Sequence, residues 1–501
     1  MYEESIKKIN SQRSEMKTAK MKVPVIFHVG EELMPSDATL QQLESVARND
    51  SVSQHVAAMA DVHSKPGRKN ATGTTVVSGK YILPQVNDSD PACGMRIVRT
   101  NLTEENTTPE ELDALFKALV DKVPTKKFTG TSIPFDLVVD ICRDGIDPLI
   151  QHLGIETKNE AKNSIDGGNF FEGKKSRKDI FNVIPKLFLF FAQYRLGILG
   201  AAGNHFLDLM KVTDIVDPVV AEKFNLKKGQ YLFMVHCGSG ILGQYSMYMY
   251  TAKKREHLSQ AIMVELGKLL FRSPLKDTYK RIARKIKEYG NGAKEELFTY
   301  EGHAPEGEMY MAARKACSNW AHANRATITH NVSETVKEVL ARDPEFDLLY
   351  DMPHILVSEE EHFGKKLWVH RNGTTRSYGP SRMKHHPVFG ETGEPSFIPT
   401  SMSTEAYLSV GTDENESSFF SCNHGAGKAK SKTDSVVPGN REELEKKLAG
   451  KGVKLYNGRS SKVIEQDSSH YKRSEAVIES VTANGIGEVV AKMQPVSVIM
   501  Y

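Results

Sequence analysis

The chain has 501 residues, 39% hydrophobic and 26% charged, which is enough apolar material for a large core. A formal net charge of +3 excludes a global nucleic-acid field, so any polyanion must be held by local patches. Five cysteines (Cys93, Cys142, Cys237, Cys317 and Cys422) show no CxxC pairing and are odd in number, which argues against a disulfide scaffold and for a reducing, cytoplasmic setting.

Residues 1–22 carry several Lys and Glu and no apolar run of a secretory signal. They read as a polar N-terminal extension, helical or frayed, ahead of one body spanning 23–501. The most apolar stretch, 183–203, is interrupted by Pro185, Lys186 and Arg195, so no membrane span is expected. VTDIVDPV (212–219) and QYLFMVHCGSG (230–240) read as strands. Residues 257–271 have helical apolar spacing and lead into a basic helix, 276–290; a long helix is predicted over 309–342. The most linker-like segment, 427–452, ends in a short charged helix. Strands and helices mixed without a strict βαβ period predict an α/β fold, a mixed sheet core with inserted helices.

Three histidines keep unusual company. His205 follows an apolar run and the small residues of LGILGAAGN, His236 ends YLFMV before CGSG, and His354 ends DLLYDMP. Strand-to-loop switches of this kind place side chains at sites. DSDPACGMR (88–96) adds Asp90 and Cys93, three apart. One thiolate, one carboxylate and three imidazoles suit one or two transition-metal ions, whereas magnesium and calcium want oxygen donors. Spacing alone does not bring these elements together. In SSFFSCNHGAGKAKSKTDS (417–435), His424 stands before Gly-Ala-Gly with Lys428, Lys430 and Lys432 after it. Small residues that expose successive N–H groups can form an anion-binding concavity. Composition leaves two readings: a histidine that touches a phosphate, or a surface loop with an incidental one.

In order, these strings resemble the RtcB family of RNA ligases. ADVHSKPGRKNATGTTV (60–76) is similar to the family's PDVHxGxGxxIGxV, and DPACGMR to its DxxCGM; GNHF (203–206), HCGSG (236–240), NWAHANR (319–325), YDMPH (350–354), HFGKKLWVHRNGTTR (362–376), IPTSMSTEAYLSVG (398–411), NHGAGKAKSK (423–432) and YKRSEAV (471–477) follow in family order. The resemblance implies an α/β body around a metal cleft. Asp90, Cys93, His205, His236 and His354 would bind two manganese ions. His424 would take GMP from GTP, then pass it to an RNA 3′-phosphate that a 5′-hydroxyl end attacks. A 2′,3′-cyclic phosphate would first be opened. Asn204, Phe206, Asp208 (the family usually has Glu), Ser401, Gly425, Ala426, Gly427 and Tyr471 would contact the guanylate. The physiological RNA and any activating protein are left open.

The sequence also departs from the family. Gly240 stands for a common Arg, Ile355 for Asn, Asn372 for Lys, Thr400 for Gly and Lys428 for Arg, and Met500-Tyr501 replaces the terminal Lys-Gly. The metal and nucleophile positions are complete while positive contacts are thinned. Two other functions fit such a pattern: a manganese-dependent RNA-end phosphodiesterase or phosphatase, and a non-catalytic RNA-binding paralogue.

Overall fold

The computed structural model describes residues 2–125, 130–200, 204–252, 257–291, 296–430, 437–457 and 461–500. Ala201, Ala202, Gly203, Lys432 and Tyr501, singled out in the sequence, lie outside the described residues.

Two large sheets form the frame of the expected α/β fold. One runs Phe346–Pro353, Gly94–Thr103, Gln230–Cys237, Phe206–Ile215, Gly487–Met500, Ala406–Gly411, Pro395–Ile398, with Lys454–Leu455 beside Gly487–Met500. The other runs Ile6–Asn10, Arg13–Met16, Val25–Phe27, Val56–His63, Thr72–Ser78, Lys365–Asn372, Ile355–His362. The long helix expected over 309–342 spans Pro305–Leu340, with Pro305 at its first position, where a missing N–H costs nothing. No described helix is long and apolar enough to cross a membrane.

Two local expectations are corrected. The N-terminal residues are not a helical or frayed arm. Ile6–Asn10 and Arg13–Met16 pair antiparallel and join Val25–Phe27 at the edge of the sheet. Ile6–Asn10 is mostly exposed, so its Lys7 and Lys8 charges are those of a guarded edge strand, and the polar composition hides the hairpin. VTDIVDPV is a strand only to Ile215. Asp217 then caps the helix Pro218–Lys223, accepting N–H bonds from Val219 and Val220, with Pro218 at its first position.

Antiparallel pairing explains how distant residues converge. Gly94 pairs with Cys237 and with Pro353, and Phe206 pairs with His236. Residues that begin Gly94–Thr103 and Phe206–Ile215 therefore sit beside residues that end Gln230–Cys237 and Phe346–Pro353. Cys93, His205, His236 and His354 all fall at that one end of the sheet.

Candidate metal centre and histidine loop

A cleft of about 700 Å³ opens there, and the five donor residues, His424, the eight guanylate residues and Lys428 line it, whereas Lys430 does not. The ligand-type atoms converge in two groups, Asp90–Cys93–His205 and Cys93–His236–His354, each with its atoms within 4.8 Å of one another. Cys93 belongs to both. Its Sγ lies 3.3 Å from His205 Nε2 and 3.6 Å from His236 Nε2, and the Nε2 atoms of His236 and His354 are 2.9 Å apart. His205 Nδ1 donates to the Leu199 carbonyl at 2.8 Å, which fixes the tautomer and turns the Nε2 lone pair toward Cys93. Asp90 Oδ1 accepts the Ser239 N–H at 2.8 Å and its hydroxyl at 2.5 Å. Burial pushes the Cys93 thiol and the Asp90 carboxyl up, and pushes His205, His236 and His354 down. Buried neutral imidazoles are ready donors, and a cation would offset the desolvation that opposes the thiolate.

His424 follows the short strand Ser421–Asn423 and stacks on His354, ring centres 4.3 Å apart. Its Nδ1 meets two acceptors, Asp61 Oδ2 at 2.6 Å and the Gly373 carbonyl at 2.7 Å. Nδ1 therefore carries the proton and Nε2 keeps its lone pair. Asp61 is fully buried in Val56–His63, and Lys472 clamps the backbone around it, donating to Ala60 and Val62 carbonyls at 2.7 and 3.0 Å. Glycine is required beside this pair. Gly427 has φ +73°, and a Cβ there would lie 2.4 Å from the Asp61 carbonyl oxygen.

The loop differs in detail from an open nest of N–H groups, since the Ala426 N–H is bonded to the Pro399 carbonyl. Lys428 Nζ sits 4.1 Å over the Tyr471 ring and donates to the Glu465 carbonyl; burial lowers its pKa to about 8. Phe206 sets its ring edge-on to His236, and Ser401 Oγ shares a hydrogen bond with Thr404 at 2.7 Å. Asp208 is buried, which holds its carboxyl far above the usual range, and among the described residues its Oδ1 has no hydrogen-bond partner. Met500 pairs with Phe206 across the strands. Gly240 and Ile355 line the cleft, whereas Asn372 does not. Asn372 joins two loops, accepting from the Asp88 N–H and donating to the Ala71 carbonyl.

Two residues of consequence were not singled out from the sequence. Asp61 lies 363 positions from His424 inside a continuous β run, and only its Asp-Val-His string hinted at it. Arg325, fully buried in the long helix, donates to the carbonyls of Ala92 (2.7 Å) and Cys237 (2.9 Å) and to Asp351 (2.7 and 2.9 Å). It ties together the segments that carry Cys93, His236 and His354.

Fold and site define an α/β protein whose cleft sets a transition-metal donor group beside a carboxylate-held histidine. The profile of the family described as tRNA-splicing ligase RtcB matches residues 42–501, and the chain belongs to the RtcB family. It is 28% identical to the tRNA-splicing ligase RtcB of Aeropyrum pernix, covering 95% of each chain. It is likewise 28% identical to that of Archaeoglobus fulgidus, over 95% of this chain and 94% of the relative. The Pyrococcus horikoshii protein of the same name is 31% identical over 81% of this chain, a match that spans 44% of that relative.

Proposed function

We propose that the protein is an RNA ligase that uses GTP and manganese to join a 3′-phosphate or 2′,3′-cyclic phosphate end to a 5′-hydroxyl end through a His424–GMP intermediate. The observation that carries this reading is the pairing of His424 Nδ1 with Asp61 and Gly373, which leaves Nε2 as a nucleophile at the cleft. Nε2 attacks the α-phosphorus of GTP, a P–N bond forms, the α–β P–O bond breaks and pyrophosphate leaves. An oxygen of the RNA 3′-phosphate then attacks the same phosphorus and breaks the P–N bond. The 5′-hydroxyl finally attacks the 3′-phosphate, loses its proton and expels GMP. Asp61 balances the imidazolium charge that develops on His424. In the cyclic case, water first opens the ring to the 3′-phosphate. Buried cysteines, none in a disulfide, suit a cytoplasmic enzyme.

The donor set fits divalent transition-metal ions, and the family resemblance is what makes them manganese: Asp90, Cys93 and His205 would hold one ion, and Cys93, His236 and His354 a second. Bound manganese would supply Lewis-acid charge to the phosphate oxygens. Cys93→Ser is expected to lose tight manganese binding in calorimetry and to lose ligation, with the far-UV spectrum unchanged. Wild-type manganese affinity in this variant would remove Cys93 from the ligand set.

Asn204, Phe206, Asp208, Ser401, Gly425, Ala426, Gly427 and Tyr471 would surround the guanylate, as their common place in the cleft supports. Guanosine selectivity is expected to be weak for the family, because Met500 offers no donor to the base. One charged hydrogen bond is worth about 1.5–3 kcal/mol, roughly tenfold to a hundredfold in discrimination. Competition between GTP and ATP for labelling measures it, and selectivity above a thousandfold would contradict it. Labelled GTP also separates the manganese phosphodiesterase reading, to which the commitment of Lys428 to Tyr471 and Glu465 lends support. That enzyme would process RNA ends and never bind GMP covalently.

A further inference from the structure

The helix Lys276–Asn291 carries charge that the site described above does not use. Eight Lys and Arg face three Asp and Glu between residues 257 and 290, in a chain whose net charge is only +3. Within the helix the cations divide by face. Arg281 is bound to Glu306, and Lys285 lies over the Phe298 and Tyr300 rings at 5.8 and 5.6 Å. Ile282 is buried between them, so this face is pinned to the body. Lys276, Lys280, Arg284 and Lys287 recur at i, i+4, i+8 and i+11 and are all exposed. That spacing puts them on one face, with i and i+4 about 6 Å apart along the axis. Lys280 reaches Asp277 at 3.6 Å; among the described residues Lys276, Arg284 and Lys287 form no ion pair.

A merely solvated helix alternates its signs. The helix Arg441–Ala449 does so, pairing Arg441 with Glu445 and Lys446 with Glu442 at i, i+4. Lys276–Asn291 instead presents a row of four cations of which only Lys280 is paired among the described residues. Near its C-terminal end, Tyr289 donates to Gln85 at 3.0 Å, three residues from Asp88 on the cleft wall. Three residues of chain span at most about 11 Å. Asp88 also gathers Lys65 at 2.6 Å and Arg68 at 3.6 Å on the same wall. Along the 16-residue helix the positive row from Lys276 to Lys287 runs for about 17 Å.

We propose that this face is a docking track for the phosphate backbone of the RNA substrate outside the cleft. The inference rests on the RNA-ligase reading and deepens it. The row meets phosphates along one strand, without base contacts, so it holds RNA by length and charge, not sequence.

The test is the triple variant Lys280→Glu/Arg284→Glu/Lys287→Glu, with Lys174→Glu/Lys175→Glu/Lys178→Glu as an equal charge change on another exposed surface. A stem-loop RNA, cut in its loop to leave 3′-phosphate and 5′-hydroxyl ends, is compared with oligonucleotides too short to leave the cleft. The helix variant is expected to raise KM for the stem-loop at least roughly tenfold, and to lower the salt slope of its binding by about two to three. kcat, and KM for the short pair, should stay at wild-type values. The control triple should change neither. Unchanged stem-loop binding in the helix variant overturns the proposal and leaves the face to an acidic protein partner. Equal losses in both triples overturn it too, because net charge would then explain them. Wild-type protein that binds the stem-loop with the expected slope but ligates nothing supports the track and refutes the ligase reading.

Discussion

His424→Ala is expected to abolish covalent GMP labelling and GTP-dependent ligation, and Asp61→Asn to slow labelling by roughly 10²–10⁴. The alanine variant removes the nucleophile. The asparagine variant keeps the shape but can turn an N–H toward Nδ1, which favours the tautomer with the proton on Nε2. Loss of a carboxylate that sets a histidine tautomer acts on that scale in serine proteases. The Gly373 carbonyl, 2.7 Å from Nδ1, still favours the productive tautomer and limits the loss. A P–N linkage is stable in alkali and labile in mild acid, so radiolabel should follow that pattern. Asp61→Asn should lower the rate of labelling more than the affinity for GTP. His424→Ala should still seal RNA carrying a preformed 3′-guanylylated end. Label that persists in His424→Ala, or that leaves in alkali, removes His424 as the nucleophile.

Arg325→Leu is expected to cost about 3–5 kcal/mol of stability, the usual scale for leaving a buried charge without its partner. Asp351 is fully buried, and burial alone would raise its pKa. Arg325, with His322 and Arg96, overcomes that and holds it at about 2. Such a depressed carboxylate contributes stability above its ordinary pKa of 3.8 and loses it as pH falls through about 2. Without Arg325 the folded-state pKa of Asp351 rises, and protonation relieves the variant. The difference in urea midpoint between wild type and variant should therefore narrow as pH falls below 4. A difference independent of pH would place the cost in packing and not in the charge. The variant also frees the carbonyls beside Cys93 and His236, so manganese affinity should fall even where the fold persists.

The local sequence was legible wherever chemistry interrupts an apolar pattern. His236 and His354 each end a buried strand run, and the Asp90–Cys93 string sits in a loop before one, so these donors stood out without any knowledge of contacts. His424 stood out because Gly-Ala-Gly follows it. The long helix was legible from its spacing. The N-terminal hairpin was hidden because an edge strand needs no buried face: Ile6–Asn10 is mostly exposed and reads as polar. Asp61 was only hinted at by its Asp-Val-His string, since its meaning comes from one oxygen 2.6 Å from a ring 363 residues away. Arg325 stood only at the end of the NWAHANR string, and its burial with bonds to Ala92, Cys237 and Asp351 is what makes it a brace. Residue types and local periodicity set which chemistry was available and on which kind of element. The tertiary structure decided which atoms share that chemistry: antiparallel register put starts and ends of distant strands at one sheet end, and Cys93 there belongs to two donor groups.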